Sequence, residues 1–362
     1  MANNKNQHFV PRCHLKPFTL DGDGLAINLY NLARKQSITC APVKNQCSRD
    51  YFYGNDPDLE ASLQALEGRY ADVLRRLSVE PLRLNAADAE FLASFWIFQH
   101  LRTEAIQKSI LKHNADMQFA LGGDIPQLAL GKKEATLIAL KAFAQNYDAI
   151  ADLNLVIVQN RSSVPIVTSD NPAVQTNWLA LLASREGVET FGMHSAGAIA
   201  LLPLTPDLLA IMYDKDVYSM AHESGVIAVR RDADIRALNE HQVLNCSSNI
   251  YFSPGFTATH VEDIPDLDAQ RAKSGPRILM YQKKSESDHR YYATERIKPD
   301  KGAEAIIATP TFYSSPTSWP GFIRWRLRGF YFENGSAVGR VRSAWTRADL
   351  ATRPFRKVYT GR

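Results

Sequence analysis

The sequence predicts an α+β fold, with a helical N-terminal half packed on a mainly antiparallel β C-terminal half. Two patterns predict it. Between about residues 55 and 150, apolar residues recur at three- and four-residue steps, the period of a helix that buries one face. From about residue 151 the apolar runs shorten, become rich in Val, Ile and Leu, and are separated by polar turns, as antiparallel strands are. The two patterns are segregated rather than alternating, which separates α+β from a parallel α/β sheet. No GxGxxG follows a strand and no Walker phosphate loop occurs, so dinucleotide and P-loop readings are disfavoured.

Each element has its own signal. Ala26–Asn31 alternates apolar and polar residues after the Asp21-Gly22-Asp23-Gly24 turn, which predicts a half-buried strand. A helix should begin near Pro57–Asp58, with Leu59, Leu63, Leu66, Tyr70, Val73, Leu74 and Leu77 on one face and Pro81 beyond its end. Asn85 is placed to cap the next helix, which carries Phe91, Leu92, Phe95, Trp96, Phe98, Leu101, Ala105, Ile106 and Ile110. Gly122-Gly123 and Pro126 interrupt, and a further helix is expected over Lys133–Ile150. Leu153–Val158 and Val164–Thr168 read as a hairpin about Asn160–Ser163, and Ile199–Leu204 and Leu208–Tyr213 as another about Thr205-Pro206-Asp207. Asp232–Cys246 reads as a helix, and Ile250–Phe252 and Arg277–Tyr281 as strands. After a polar loop at Ser285–His289, strands are expected at Ile323–Arg328 and Phe330–Phe332. An Asn334-Gly335 turn would then lead to Ala337–Val341 in a basic hairpin. The expected organisation is one domain over residues 1–285, with a basic β-rich extension over 286–362.

Composition bounds the class of protein. The 362 residues are 45% hydrophobic with a net charge of only +4, which excludes a disordered or collagen-like chain. Four cysteines (Cys13, Cys40, Cys47, Cys246) without a CxxC pair point to reduced thiols and a cytoplasmic protein. The polar start, Met1–Gln7, lacks the apolar centre of a signal peptide, and no run approaches a membrane span, so no membrane association is expected. The charge is uneven. From Gly321 onward ten Lys and Arg face only Glu333 and Asp349, a net of +8 that leaves −4 for residues 1–320. Such a segment is a candidate nucleic-acid contact through Arg324, Arg326, Arg328, Arg340 and Arg342, or a basic tail lying on the chain's own acidic body.

Candidate functional residues are polar side chains inside apolar stripes. Glu67 borders the buried face of its helix. Gln99 and Arg102, three residues apart, are neighbours on the next helix. A buried arginine needs a partner, and Glu67 and Asp170 are the candidates. Thr168-Ser169-Asp170-Asn171-Pro172 is a polar turn at a strand end, where Asp170 would be a base, a metal ligand or the partner of Arg102, or only the centre of a turn. His8, ahead of an apolar pair and a proline, is tied down and suited to acid/base work or ligation. A zinc site from Cys13, His14, Cys40 and Cys47 matches no standard spacing, and Cys47 as a nucleophile has no identified base. The aromatic segments Asp50–Gly54 and Phe312–Trp319 read as packing, with base stacking as the alternative.

These residues fall into a known order. HFVPRCHLKPF (His8–Phe18), Tyr51-Phe52-Tyr53-Gly54, the Glu60…Glu67 helix, FQHLRT (Phe98–Thr103), TSDNP (Thr168–Pro172), LPLTP (Leu202–Pro206) and the Asn239 helix resemble the family called domain of unknown function 4238 (DUF4238) over about residues 8–255. The family name carries no activity. The resemblance implies that His8, Glu67, Gln99, Arg102, Ser169 and Asp170 be treated as one candidate site. The expected function is a hydrolase acting on a phosphate-containing substrate, with a nuclease in a defence setting as one form of it. His8, Glu67 and Asp170 would be catalytic, Gln99, Arg102, Ser169 and Asn171 would bind substrate, and a divalent metal ion is a candidate cofactor. The competing expectation is a non-catalytic nucleic-acid or protein-binding module in which Glu67, Arg102 and Asp170 are structural. A cysteine-dependent hydrolase centred on Cys47 is a third.

Overall fold

The computed structural model describes residues 5–361 except 81, 122–128, 184–189, 284, 286–291, 295–303, 309, 336–338 and 347–352. Its helices and several antiparallel sheets make it α+β, as the sequence predicts. Among the described residues no helix is long and apolar enough to cross a membrane.

The first half is a set of helices α1 (Arg12–Leu15), α2 (Pro57–Leu77), α3 (Ala86–Leu101), α4 (Glu104–Ala120) and α5 (Lys132–Asn146). Asp56 starts α2 by accepting the Asp58 and Leu59 amides at 3.0 and 3.2 Å, with Pro57 at the first helical position. Leu63, Tyr70, Val73, Leu74 and Leu77 bury its inner face. Asn85 caps α3 as expected, accepting the Asp88 amide at 2.8 Å. Arg76 near the end of α2 then pairs with Asp88, joining the two helices. From Phe91 to Gln99, α3 is buried nearly all round, which makes it the core helix. Tyr70 stacks on Phe95 at 3.8 Å, and Trp96 Nε1 donates to the Leu201 carbonyl at 2.9 Å. Each such fully buried side chain contributes roughly 1.5–3 kcal/mol through apolar area removed from water.

The long helix expected through Ile110 is two helices. α3 stops at Leu101, Arg102 leaves helical geometry at φ −86°, ψ 0°, and Thr103 caps α4 with its Oγ1 towards the Ile106 amide. A threonine hydroxyl can replace a helical carbonyl as the acceptor for an amide, so a cap competes with continuation. The consequence is that Arg102 sits at a joint rather than on a helix face.

Strands β1 (Asn6–His8), β2 (Ala26–Asn31), β3 (Gln36–Pro42) and β4 (Ser48–Asp50) precede α2. β1 and β4 pair antiparallel with His8 opposite Ser48. The second half supplies β5 (Asn154–Asn160), β6 (Thr168–Ser169), β7 (Val174–Thr176), α6 (Trp178–Ala183), β8 (Ile199–Thr205), β9 (Leu208–Tyr213), β10 (Tyr218–Ser219), β11 (Val226–Val229), α7 (Asp232–Asn245) and β12 (Asn249–Phe252). Five strands form one sheet in the order β11-β5-β9-β8-β7, with only β11 and β5 parallel. Four form another in the order β3-β2-β12-β6. The predicted β8–β9 hairpin is present, with Ile199 opposite Tyr213.

The predicted β5 hairpin is not. Val164–Thr168 does not return against β5, whose neighbours are β9 and β11. Asn160 Nδ2 closes the turn onto the Val164 carbonyl at 2.8 Å, Pro165 has no amide to give a ladder, and the chain crosses to pair Thr168-Ser169 with β12. Of the predicted basic hairpin, Val341 pairs antiparallel with Phe332 through two backbone hydrogen bonds of 2.8 and 3.0 Å, and Phe330–Glu333 also pairs with Arg356–Tyr359. Ala337 and most of the predicted Ser285–His289 loop lie outside the described residues, as do Pro81, Gly122-Gly123 and Pro126. In the C-terminal segment, Arg324–Trp325 pairs with β10, and Trp319, Phe322 and Trp325 pack against the apolar cluster around Tyr218 and Ile235.

Candidate functional site

The N-terminal segment, α2 and the α3–α4 joint meet at a pocket of about 330 Å³. It is lined by, among others, His8, Arg12 and Cys13 from the N-terminal segment, Tyr53, Glu67 and Gly68, and Arg102. Arg102 is 1% exposed. Its Nη2 donates to Glu67 Oε1 at 2.7 Å and to the His8 carbonyl at 2.8 Å, and its Nε donates to Tyr53 Oη at 2.8 Å. The guanidinium carbon also lies 4.5 Å from the centre of the Phe98 ring. Burial works against the Arg102 charge, but Tyr53 and Glu67 outweigh it and hold its pKa above the usual value. Of the two carboxylates considered for Arg102, Glu67 is the partner.

Two atoms of pocket-lining residues are buried without a protein hydrogen-bond partner: Arg102 Nη1 and His8 Nε2. Buried polar groups are nearly always paired, so two such atoms in one pocket stand out. Burial lowers the His8 pKa, the Val43 backbone pulls it upward, and the Arg12 and Arg102 charges lower it further. The ring is therefore biased towards its neutral form, in which one nitrogen is a free acceptor. Gln99, on the buried side of α3, donates Nε2 to the Phe9 carbonyl at 3.0 Å, and its Oε1 also lacks a partner. Gln99 thus braces the segment that carries His8 without lining the pocket.

The Thr168–Pro172 turn lies at a different place. Asp170 accepts the Ser247 and Ser248 amides, both at 2.7 Å, and the Asn249 amide at 3.1 Å. Burial pushes its carboxyl up to about 6, against the pull of those three amides. Ser169 Oγ donates to Gln242 Oε1 at 2.8 Å, and Asn171 Nδ2 donates to the Asn245 carbonyl at 3.0 Å. Asn171 Oδ1 also accepts from Thr103 Oγ1 at 3.0 Å, tying the turn to the cap of α4. Asn239 reaches Pro165 and Val167 from the same helix. These contacts clamp α7 and the start of β12 onto the turn. None of Ser169, Asp170 and Asn171 lines the pocket. The structure brings His8, Glu67 and Arg102 together, sets Gln99 behind them, and holds Ser169, Asp170 and Asn171 in a separate polar junction.

A sequence model of a family described as "Protein of unknown function (DUF4238)" matches residues 6–256. The chain belongs to this family. No curated protein and no solved structure matches it. The DUF4238 region contains the whole pocket and the whole junction, and the basic segment after Gly321 lies beyond it.

Several groups in the DUF4238 region take roles that the sequence did not give them. Tyr53 was visible only as part of an aromatic run, yet its hydroxyl fixes Arg102. His14 is fully buried, with Nδ1 at 2.9 Å from Tyr70 Oη and Nε2 at 2.8 Å from Thr168 Oγ1, and burial drives its pKa down to about 3. It is a neutral bridge between α1, α2 and β6, not a metal ligand. Cys13 lines the pocket, but burial holds its thiol up at about 12, and burial likewise raises Cys47, 3.4 Å from Tyr251 Oη. Neither is a ready thiolate. Among the described residues no group of three or more His, Cys, Asp or Glu is arranged to hold a metal ion.

The basic segment divides. Arg342, expected at a contact surface, is 2% exposed. It donates to both carboxylate oxygens of Asp152 at 2.8 Å and to the carbonyls of Ala149, Met193 and Ser195. Its five-donor fork is satisfied inside the protein, so it is unavailable to a partner. Arg340 lies 5.1 Å over the Tyr331 ring. Arg324, Arg326 and Arg328 are exposed around one turn, with Leu327 89% exposed at its tip.

Proposed function

We propose that this protein is a hydrolase acting on a small phosphate-containing substrate bound in the pocket between the N-terminal segment and α2. What carries the reading is the pair of buried, partnerless polar atoms, His8 Nε2 and Arg102 Nη1, on residues that line one pocket. Arg102 and Arg12 would hold the phosphate oxygens. The neutral His8 would take a proton from the attacking water as the new P–O bond forms, and pass it to the alkoxide released as the ester P–O bond breaks. Glu67 would fix the Arg102 guanidinium rather than take a proton itself. Asp170 would act as a structural residue, since its carboxylate already accepts three amides. The pocket volume suits a small molecule better than a polymer. No step requires a metal, and a divalent ion is a variable of the assay. All four cysteines are free, in keeping with a cytoplasmic enzyme.

The test is release of p-nitrophenol from p-nitrophenyl phosphate and bis(p-nitrophenyl) phosphate, with and without Mg²⁺ or Mn²⁺. His8→Ala should lower kcat at least about 100-fold, the usual contribution of a positioned base. The variant keeps the backbone carbonyl that binds Arg102, so its fold should persist. Turnover of neither compound under any condition, or full activity in His8→Ala, would remove the hydrolase reading.

A second reading, nucleic-acid binding, is favoured by the exposed Arg324, Arg326 and Arg328. Affinity for DNA or RNA should then fall steeply with salt, because each phosphate contact releases counterions. Reversing all three charges should abolish that binding and leave pocket hydrolysis unchanged.

A further inference from the structure

Gly68 is an unfavourable choice of residue at its position. It lies in the middle of α2, a helix of 21 residues, where glycine costs about 1 kcal/mol relative to alanine. Its φ is not in the left-handed region, so the backbone does not require glycine there. A Cβ built on it meets nothing within 4 Å, so packing does not require glycine either. Gly68 does line the pocket, as does Ala71 one turn on, next to Leu63, Glu67 and Arg102. Leu63, Gly68 and Ala71 therefore give the α2 wall, which also carries Glu60, Gln64 and Glu67, a low apolar strip along the helix. Arg102, almost completely buried and with Nη1 unpartnered, stands on the same pocket.

We infer that Gly68 and Ala71 form the floor on which a flat ring of the substrate lies, with its phosphate at Arg102 and Arg12. The substrate class is thus an aromatic phosphate monoester rather than an alkyl phosphate or free phosphate. The inference rests on the phosphate reading above and adds the ring. A side chain at 68 would occupy the space over the helix that the ring uses. An apolar ring covering the Leu63–Gly68–Ala71 surface is worth roughly tenfold in affinity.

The experiment is calorimetric titration of the full chain with phenyl phosphate, glycerol 3-phosphate and inorganic phosphate. The proteins are wild type, Gly68→Ala, Gly68→Leu, Ala65→Leu and Arg102→Met. Ala65 is exposed on the same helix and does not line the pocket, so Ala65→Leu is the control for helix effects. Wild type should bind phenyl phosphate about tenfold more tightly than the other two ligands. Gly68→Leu should erase that preference, keep inorganic phosphate affinity within about twofold and leave the protein folded. Ala65→Leu should change nothing. Gly68→Ala should raise Tm by about a degree or two through helix propensity and reduce the preference only in part. Arg102→Met should weaken all three ligands together.

Equal affinity of wild type for phenyl phosphate and glycerol 3-phosphate, or a preference that survives Gly68→Leu, overturns the ring floor and leaves the phosphate site standing. If inorganic phosphate and both esters fail to bind, the phosphate reading and the ring floor fall together.

Discussion

The Arg102–Glu67 pair makes a prediction whose asymmetry can be worked from the geometry. The Arg102 side chain is 1% exposed, whereas that of Glu67 is 27% exposed. Glu67→Ala removes the carboxylate hydrogen-bonded to Arg102 and leaves a buried cation with Tyr53 Oη and the His8 carbonyl as acceptors. Breaking one side of a fully buried pair costs 3–5 kcal/mol, and the solvent access of Glu67 reduces this to about 2–3 kcal/mol. Arg102→Met removes the buried cation and leaves Glu67, whose carboxylate water can reach. The expected cost is about 1 kcal/mol, mostly from the hydrogen bonds lost at Tyr53 and His8. In the double variant the cost of Glu67→Ala should nearly vanish, because there is no stranded charge. The coupling energy is then about 2 kcal/mol. Urea unfolding of the four proteins, compared at constant m, measures it. Equal costs for the two single variants, or additive costs in the double variant, would refute the claim that Glu67 serves to neutralise Arg102.

Asp170→Asn should cost about 2–4 kcal/mol, because an amide nitrogen would face backbone N–H groups that now donate to a carboxylate. Any phosphate affinity of the pocket should be retained, as calorimetry would report. Arg342→Met should leave nucleic-acid affinity unchanged while lowering stability by about 2–3 kcal/mol through the Ala149, Met193 and Ser195 carbonyls that lose their donor. A gel-shift titration beside a melting curve tests both halves. Stability should depend on pH in two stages. Burial depresses His14 to about 3 and His241 to about 4, so below about pH 6.5 the unfolded chain binds protons that the folded chain refuses, and stability falls as pH falls. Burial raises Asp170 and Asp214 to about 6, so between about pH 6 and 4 the folded chain binds protons that the unfolded chain does not, which adds stability over that range. Unfolding free energy should therefore drop below pH 6.5 and drop less steeply from 6 to 4, where Asp170 and Asp214 oppose the histidines, and Asp170→Asn should steepen that slope. A steady rise in stability from pH 6.5 to 4 would contradict these assignments.

What was legible in the sequence was local. Helix starts at Asp56-Pro57 and Asn85 carry their own caps, and the apolar stripe of α2 needs no distant information. Glu67 with Arg102 was legible because a charged residue inside an apolar stripe demands a partner. The break at Thr103 was hidden because its hydroxyl cap lies within a continuous apolar period. Strand partners were hidden because pairing depends on where the chain returns. Val164–Thr168 is apolar enough for a hairpin, yet Pro165 and the Asn160 side chain send it to the other sheet. Asp170 was expected to be a base, a metal ligand, the partner of Arg102 or the centre of a turn, because the three backbone amides it accepts, about 78 residues away in sequence, leave no local trace. Tyr53, His14 and Gly68 share a cause. Each is an ordinary residue whose importance comes only from what another element sets beside it. Arg342 fits the alternative of a basic tail lying on the chain's own body, but nothing in the basic run points to Asp152 as its partner.

The most direct test is a crystal of the full chain soaked with tungstate, an electron-dense phosphate analogue. An anomalous peak is expected in the pocket, with an oxygen within hydrogen-bond distance of Arg102 Nη1 and the ion beside the His8 ring, lost in an Arg102→Met crystal. Tungstate bound only around Arg324, Arg326 and Arg328, with no peak in the pocket at saturating concentration, would contradict it.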